Sequence, residues 1–219
     1  MDKLIFPSDY SLGELTIWKG EDAVRIIPQA QGVVPVDDDE WVILRANQET
    51  CDKMERLREI PPNVLRGFWI EDLDIAGCDL SELSRMSGLE LVGLSRVRIT
   101  PLQFKQMADL TELRRLDLNH TIPILTLDWM HRMQRVEKVA LHYADIGDEQ
   151  LRTLPQLGIQ SLILCGTRIS DRSIPKLASL QSLKYLDLCE KRITEEGRSR
   201  LAQFLPNCFI RFAAPGRSG

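Results

Sequence analysis

The sequence has little surplus charge of either sign: 28 Lys and Arg stand against 32 Asp and Glu, a net charge of −4 over 219 residues. It therefore lacks the basic face that nucleic acid requires and the polybasic stretch that holds a protein to anionic lipid. It also lacks any apolar run near the roughly 18 to 20 residues of a membrane helix, so neither nucleic acid nor a membrane is expected as a partner. The start, Met1 to Pro7, has neither the basic nor the long apolar region of a secretory leader, and a cytoplasmic setting is expected. Five cysteines, an odd number with no CxxC pair, argue against a disulfide framework and for unlinked thiols. No P-loop, GxSxG, HExxH or glycine-rich dinucleotide turn is present. The expectation is a protein that is not an enzyme and carries no cofactor.

What the sequence does have is a period. Leu183-Lys-Tyr-Leu186-Asp-Leu188 is echoed by Ile159-Gln-Ser-Leu162-Ile-Leu164, Val136-Glu-Lys-Val139-Ala-Leu141 and Leu113-Arg-Arg-Leu116-Asp-Leu118. Leu89 to Leu94 and Leu65 to Ile70 are looser copies. The copies begin at 65, 89, 113, 136, 159 and 183, always 23 or 24 residues apart. Random clustering of leucine does not hold such spacing.

Each copy repeats one internal plan. The Leu-x-Leu core predicts a short strand with alternate residues inward. One more apolar residue follows at Ile99, Ile146, Ile169 and Ile193. Then comes a helix start: Thr100 before Pro101, Ser170 before Asp171, Thr194 before Glu195 and Glu196. Such N-caps, followed by proline or acidic groups, suit the unpaired N–H groups and positive dipole end of a first helical turn. Helical spacing continues in Phe104, Met107, Leu110 and in Ile174, Leu177, Leu180. One such unit cannot bury its own apolar face, whereas stacked units share a continuous core.

On these residues, from about Leu65 to Phe212, the chain resembles the leucine-rich repeat family, nearest to the bacterial-type variety with a Thr-x-Ile-Ser/Thr-Asp/Glu stretch (Thr167 to Asp171). The resemblance implies an α/β right-handed solenoid, with short parallel strands on a concave face and helices on a convex one. It implies protein binding by analogy of fold. The family's asparagine ladder is missing: Thr121 and Thr167 hold two of those positions, while Leu73, Val97, Ala144 and Lys191 do not conform.

Three segments are expected. Residues 1–60 read as a β-rich N-terminal cap, with strands at Leu12 to Trp18, Ala23 to Ile27, Gly32 to Val36 and Trp41 to Ala46. Its last part, Trp41 to Ile60, reads as a degenerate zeroth repeat with a helix from Cys51 to Glu59. Residues 61–212 form the solenoid, closed by a terminal strand at Phe209 to Phe212. Residues 213–219 form a tail of small residues, Pro and Gly. Asp37-Asp38-Asp39-Glu40 lacks the spacing and glycine of a calcium loop and reads as a solvated turn.

Strand residues that flank the inward leucines point outward in this plan, so equivalent positions form ladders across the repeats. The candidate binding residues are Trp69, Arg96, Arg115, Asp117, His120, His142, Tyr143, Tyr185 and Asp187. Aromatic and arginine side chains of this kind are enriched at the centres of protein interfaces. Trp69 also fits a purely structural part, shielding the sheet beside the cap. His142, Cys165 and Cys189 share one ladder on three consecutive strands. That spacing admits a Zn²⁺ site, a Cys165–Cys189 disulfide or separate thiols, and separate thiols are expected. The function expected is a scaffold-like interaction module gripping a protein on its concave strands. The alternative is a structural subunit that docks through its N-terminal cap.

Overall fold

The computed structural model describes residues 2–20, 22–37, 39–189 and 192–212. Its centre is one ten-stranded sheet, eight parallel strands continued at one edge by two antiparallel ones. Eight strands run parallel in chain order: β5 (Glu40–Ala46), β6 (Gly67–Glu71), β7 (Leu91–Ser95), β8 (Arg115–Asp117), β9 (Lys138–Ala140), β10 (Ser161–Ile163), β11 (Tyr185–Asp187) and β12 (Phe209–Arg211). The register aligns Leu44, Phe68, Val92, Leu116, Val139, Leu162, Leu186 and Ile210 in a single file. The first seven of these side chains are fully buried. This is the leucine-rich repeat solenoid that the spacing predicts, and the strand before Leu65 belongs to the same ladder.

The convex side holds short helices: α1 (Gln48–Asp52), α2 (Pro101–Met107), α3 (Asp148–Arg152), α4 (Ile174–Ser179) and α5 (Glu195–Phe204). Met54–Glu59, Leu80–Arg85 and Asp128–Arg132 are 3₁₀ turns instead. The zeroth repeat's expected Cys51–Glu59 helix is thus divided, α1 ending at Asp52 and a 3₁₀ segment following. The period explains this: once strand and turns are made, few residues remain, and a 3₁₀ turn spans about 2.0 Å per residue against 1.5 Å. Thr100 caps α2 with a reciprocal bond to Gln103, as the sequence predicts for a helix start there.

Cross-repeat hydrogen bonds join these helix starts. The Asp148 carboxylate accepts from the Ser170 N–H at 2.7 Å and from the Ser170 and Ser173 hydroxyls at 2.6 Å. One repeat on, Asp171 accepts from the Thr194 N–H at 3.0 Å and its hydroxyl at 2.6 Å. At these two starts the acidic residue therefore bonds the next repeat. Gln103, buried, donates to the carbonyls of Ile75 and Cys78 in the preceding repeat. At the vacant asparagine positions, the Thr121 hydroxyl donates to the Leu94 carbonyl and that of Thr167 to the Leu164 carbonyl.

At the N-terminal end, β2 (Gly13–Lys19) runs antiparallel to β5, and β3 (Asp22–Ile27) runs antiparallel to β2. β1 (Asp2–Ile5) and β4 (Val33–Val36) form a separate antiparallel pair. The sequence reading missed β1. Leu12, Leu15, Ile17 and Leu44 are fully buried in the same apolar cluster as the repeats. Among the described residues no helix is long and apolar enough to cross a membrane. Asp38, Glu190, Lys191 and the 213–219 tail lie outside the described residues.

Candidate binding face

A column of backbone conformations marks the strand ends. Asp72, Arg96, His120 and Tyr143 have φ between 52° and 55°, and Gly166 has φ 80°. These are the same position in five successive repeats, one residue beyond the strand-end ladder. Only glycine adopts this left-handed region freely, and other residues cost of order 1 to 3 kcal/mol there. Four of the five sites nevertheless carry side chains. No signal in the periodicity separates this conformation from an ordinary turn.

Those side chains are ordered by one another. Arg96 bonds Asp72 through two nitrogens at 2.6 Å and Glu71 at 2.6 Å. The His120 ring stacks on Tyr143 with centroids 4.8 Å apart, and His142 lies 4.4 Å from Tyr143. Burial, and then the neighbouring His120, hold His142 below the ordinary imidazole range. Tyr143 stays 45% exposed, a large aromatic surface facing water. Of the sequence-predicted cluster His120, His142, Tyr143 and Arg115, the three rings are brought together, whereas Arg115 is paired with Asp117.

Toward the N-terminal end, Trp69 lies flat across the sheet. A Cβ placed on Gly93 would come within 2.1 Å of its ring, so that glycine is what lets the indole lie down. Thr16, Trp18, Ile43, Arg45, Trp69, Leu91 and Arg115, drawn from β2, β5, β6, β7 and β8, line a cavity of about 260 Å³ on the strand face. Thr16, Trp18, Ile43 and Arg45 are members that sequence reasoning missed, because the cap's place on the solenoid was needed to find them. The Nε1–H groups of both tryptophans are covered and meet no acceptor among the described residues.

Asp117 and Asp187 are brought to the strand face, but each is 2% exposed and neutralised within the chain. Arg115 holds Asp117 through contacts of 2.7 to 3.1 Å, and Arg211 holds Asp187. They fix arginines rather than present free carboxylates. Tyr185 stacks on Phe209 at the far end, 5.9 Å between centroids.

The expectation of separate thiols is overturned for one pair. Cys165 and Cys189 are joined by a disulfide that links two adjacent repeats, Cα to Cα 4.6 Å. The physical reason is register: the two cysteines are equivalent positions two residues past the ends of the paired parallel strands β10 and β11, within the separation a disulfide needs. Cys51, Cys78 and Cys208 remain free. Of the ladder His142, Cys165, Cys189, the structure gathers the two sulfurs with an Asp187 oxygen within 4.8 Å of one another, and His142 is not in that group.

The chain matches no protein-family model and no curated protein. Among solved structures it is similar to a leucine-rich repeat protein of Leptospira interrogans, at 17% identity and TM-score 0.47, over 68% of this chain and 36% of that one. It is also similar to an internalin from Listeria monocytogenes, at 15% identity and TM-score 0.47, over 78% of this chain and 58% of that one. The chain spans less than two thirds of the length of either, and the leucine-rich repeat architecture stands on its own strand register.

Proposed function

We propose that this protein is a non-catalytic interaction module that holds a protein partner against its strand face and the rim of left-handed residues beside it. The observation that carries this reading is the column Asp72, Arg96, His120, Tyr143, where glycine would be free and side chains are kept at a backbone cost. The tryptophan-lined cavity beside it is large enough to receive one large side chain of a partner. Its covered indole N–H groups are donors that a partner's carbonyl oxygens satisfy after a small ring movement.

The test is capture of partners from the native host by the wild-type chain and by a Trp69→Ala/Tyr143→Ala variant. Both substitutions leave the buried carboxylates paired, which Arg115→Ala would not. Loss of the partner from a variant that folds normally is expected. Undiminished capture removes the strand face as the binding surface.

A second reading has its own support. Ile5, Val24, Ile26, Val33 and Trp41 are exposed apolar side chains of the N-terminal β-structure, a distribution that suits docking of the cap into a larger assembly. In that case Ile26→Lys, and not the Trp69/Tyr143 pair, abolishes capture. The setting is tied to the cysteines: a reducing cytoplasm keeps Cys165 and Cys189 as thiols, and an oxidising compartment keeps the disulfide. Thiol counting on the native protein distinguishes the two.

A further inference from the structure

We propose that Cys165 and Cys189, once reduced, form with Asp187 a buried site for one Zn²⁺ ion, with water as the fourth ligand. The inference is separate from the binding-face reading and rests on other residues.

The three ligand atoms come from two adjacent repeats and already lie within 4.8 Å of one another. All three residues are buried, and the Cys189 Sγ is 3.5 Å from Asp187 Oδ1. In a tetrahedral zinc site with Zn–S about 2.3 Å and Zn–O about 2.1 Å, a sulfur and a carboxylate oxygen stand about 3.6 Å apart. That edge of the tetrahedron is therefore present before any ion enters. The second edge forms when the reduced sulfurs separate to about 3.8 Å. Rotation about the Cα–Cβ bond of Cys165 moves its sulfur away while Cys189 keeps its place beside Asp187, the two Cα atoms being 4.6 Å apart.

Charge supports the same assignment. Two thiolates and one carboxylate bring −3, and a divalent ion leaves −1. Arg211, whose Nε is 3.0 Å from Asp187 Oδ1 and which also pairs through Nη2 with Oδ2, brings the sum to zero. A buried cluster with no net charge avoids the large desolvation penalty of an unpaired ion. By pairing with the carboxylate, the guanidinium also orients it, as partners of metal ligands commonly do. Two sulfurs with one oxygen favour zinc over magnesium or calcium, which take oxygen ligands.

A small dithiol reductant gives two electrons and two protons to the Cys165–Cys189 bond, leaving two protein thiols and its own cyclic disulfide. Binding Zn²⁺ then releases both thiol protons to solvent. Disulfide and zinc are alternative occupants of one pair of sulfurs.

Cobalt(II) is the probe, since its thiolate complexes absorb where the protein does not. The full chain is reduced, freed of reductant without oxygen, and titrated with Co²⁺. One equivalent is expected to raise a sulfur-to-cobalt charge-transfer band and the intense visible bands of tetrahedral cobalt, both removed by Zn²⁺. The bands should vanish in Cys165→Ser and in Cys189→Ser, and Asp187→Asn should weaken Co²⁺ at least tenfold. They should persist in a Cys51→Ala/Cys78→Ala/Cys208→Ala background, which removes the other thiols. Absence of the bands in the reduced wild-type chain overturns the proposal. So does a signal that survives loss of Cys165 and Cys189. The wild-type titration needs no substitution, so it decides the matter even if a variant misfolds.

Discussion

The ring of Tyr143 lies directly on Gly166, one strand along, and a Cβ on that glycine would stand 2.3 Å from Tyr143 Cδ1. Gly166 also has φ 80°. Gly166→Ala therefore meets both a strained backbone and an aromatic ring. The left-handed conformation alone costs an L-residue about 1 to 2 kcal/mol. A loss of at least that size is expected in urea denaturation, with the tyrosine near-ultraviolet dichroism altered as the ring is displaced. An unchanged midpoint contradicts the stacking.

Tyr143 itself has φ 53°, which reverses a usual ranking. Glycine normally weakens a site relative to alanine because it frees the unfolded chain. Here Tyr143→Gly is expected to be as stable as Tyr143→Ala or more so, by up to about 1 kcal/mol, since only glycine escapes the left-handed penalty. Paired denaturation curves of the two variants decide this. An alanine variant clearly more stable than the glycine one argues against strain at this column.

Gln103 supplies the amide that two buried carbonyls of the previous repeat depend on, at 2.5 Å and 3.1 Å. Gln103→Leu keeps the volume and deletes the donors. Unsatisfied buried polar groups cost about 1 to 3 kcal/mol, and the lost capping box adds to that. A fall in stability of this order is expected by chemical denaturation. A change below about 0.5 kcal/mol means the carbonyls find other partners.

Asp148 carries a prediction in pH. Burial raises its pKa, but the Ser170 and Ser173 bonds outweigh burial and hold the carboxyl below its ordinary value. A group depressed by folding stabilises the native state above its unfolded pKa, about 3.9 for aspartate, and loses that contribution as pH falls through the folded value. Wild type should exceed Asp148→Asn in stability at pH 7, and the gap should close as the pH falls below about 4. Equal stability at pH 7 removes the carboxylate as a link between repeats.

The spacing of leucines made the repeated strands legible because a parallel ladder needs one inward residue in the same place in each unit, and Leu116 or Leu162 cannot move without breaking the file. The helix starts were legible at Thr100 and Thr194 for the same local reason, a cap that serves its own first turn. What Asp148 and Asp171 do for the next repeat was not, since that bond depends on the stacking distance rather than on neighbours in sequence. Likewise Arg115 reads as a free interface arginine until the structure places Asp117 beneath it.

Periodicity and side-chain alternation along a strand were enough to specify the solenoid, its register and the candidate aromatic cluster. Three features needed the folded chain: Trp18 of the cap meets Trp69 of the first full repeat at one cavity, Cys165 and Cys189 are joined, and Tyr143 holds a left-handed backbone. The reason is physical: each depends on distances between chain segments about two dozen or more residues apart, or on torsion angles that many residue types can be forced to adopt, and periodicity encodes neither.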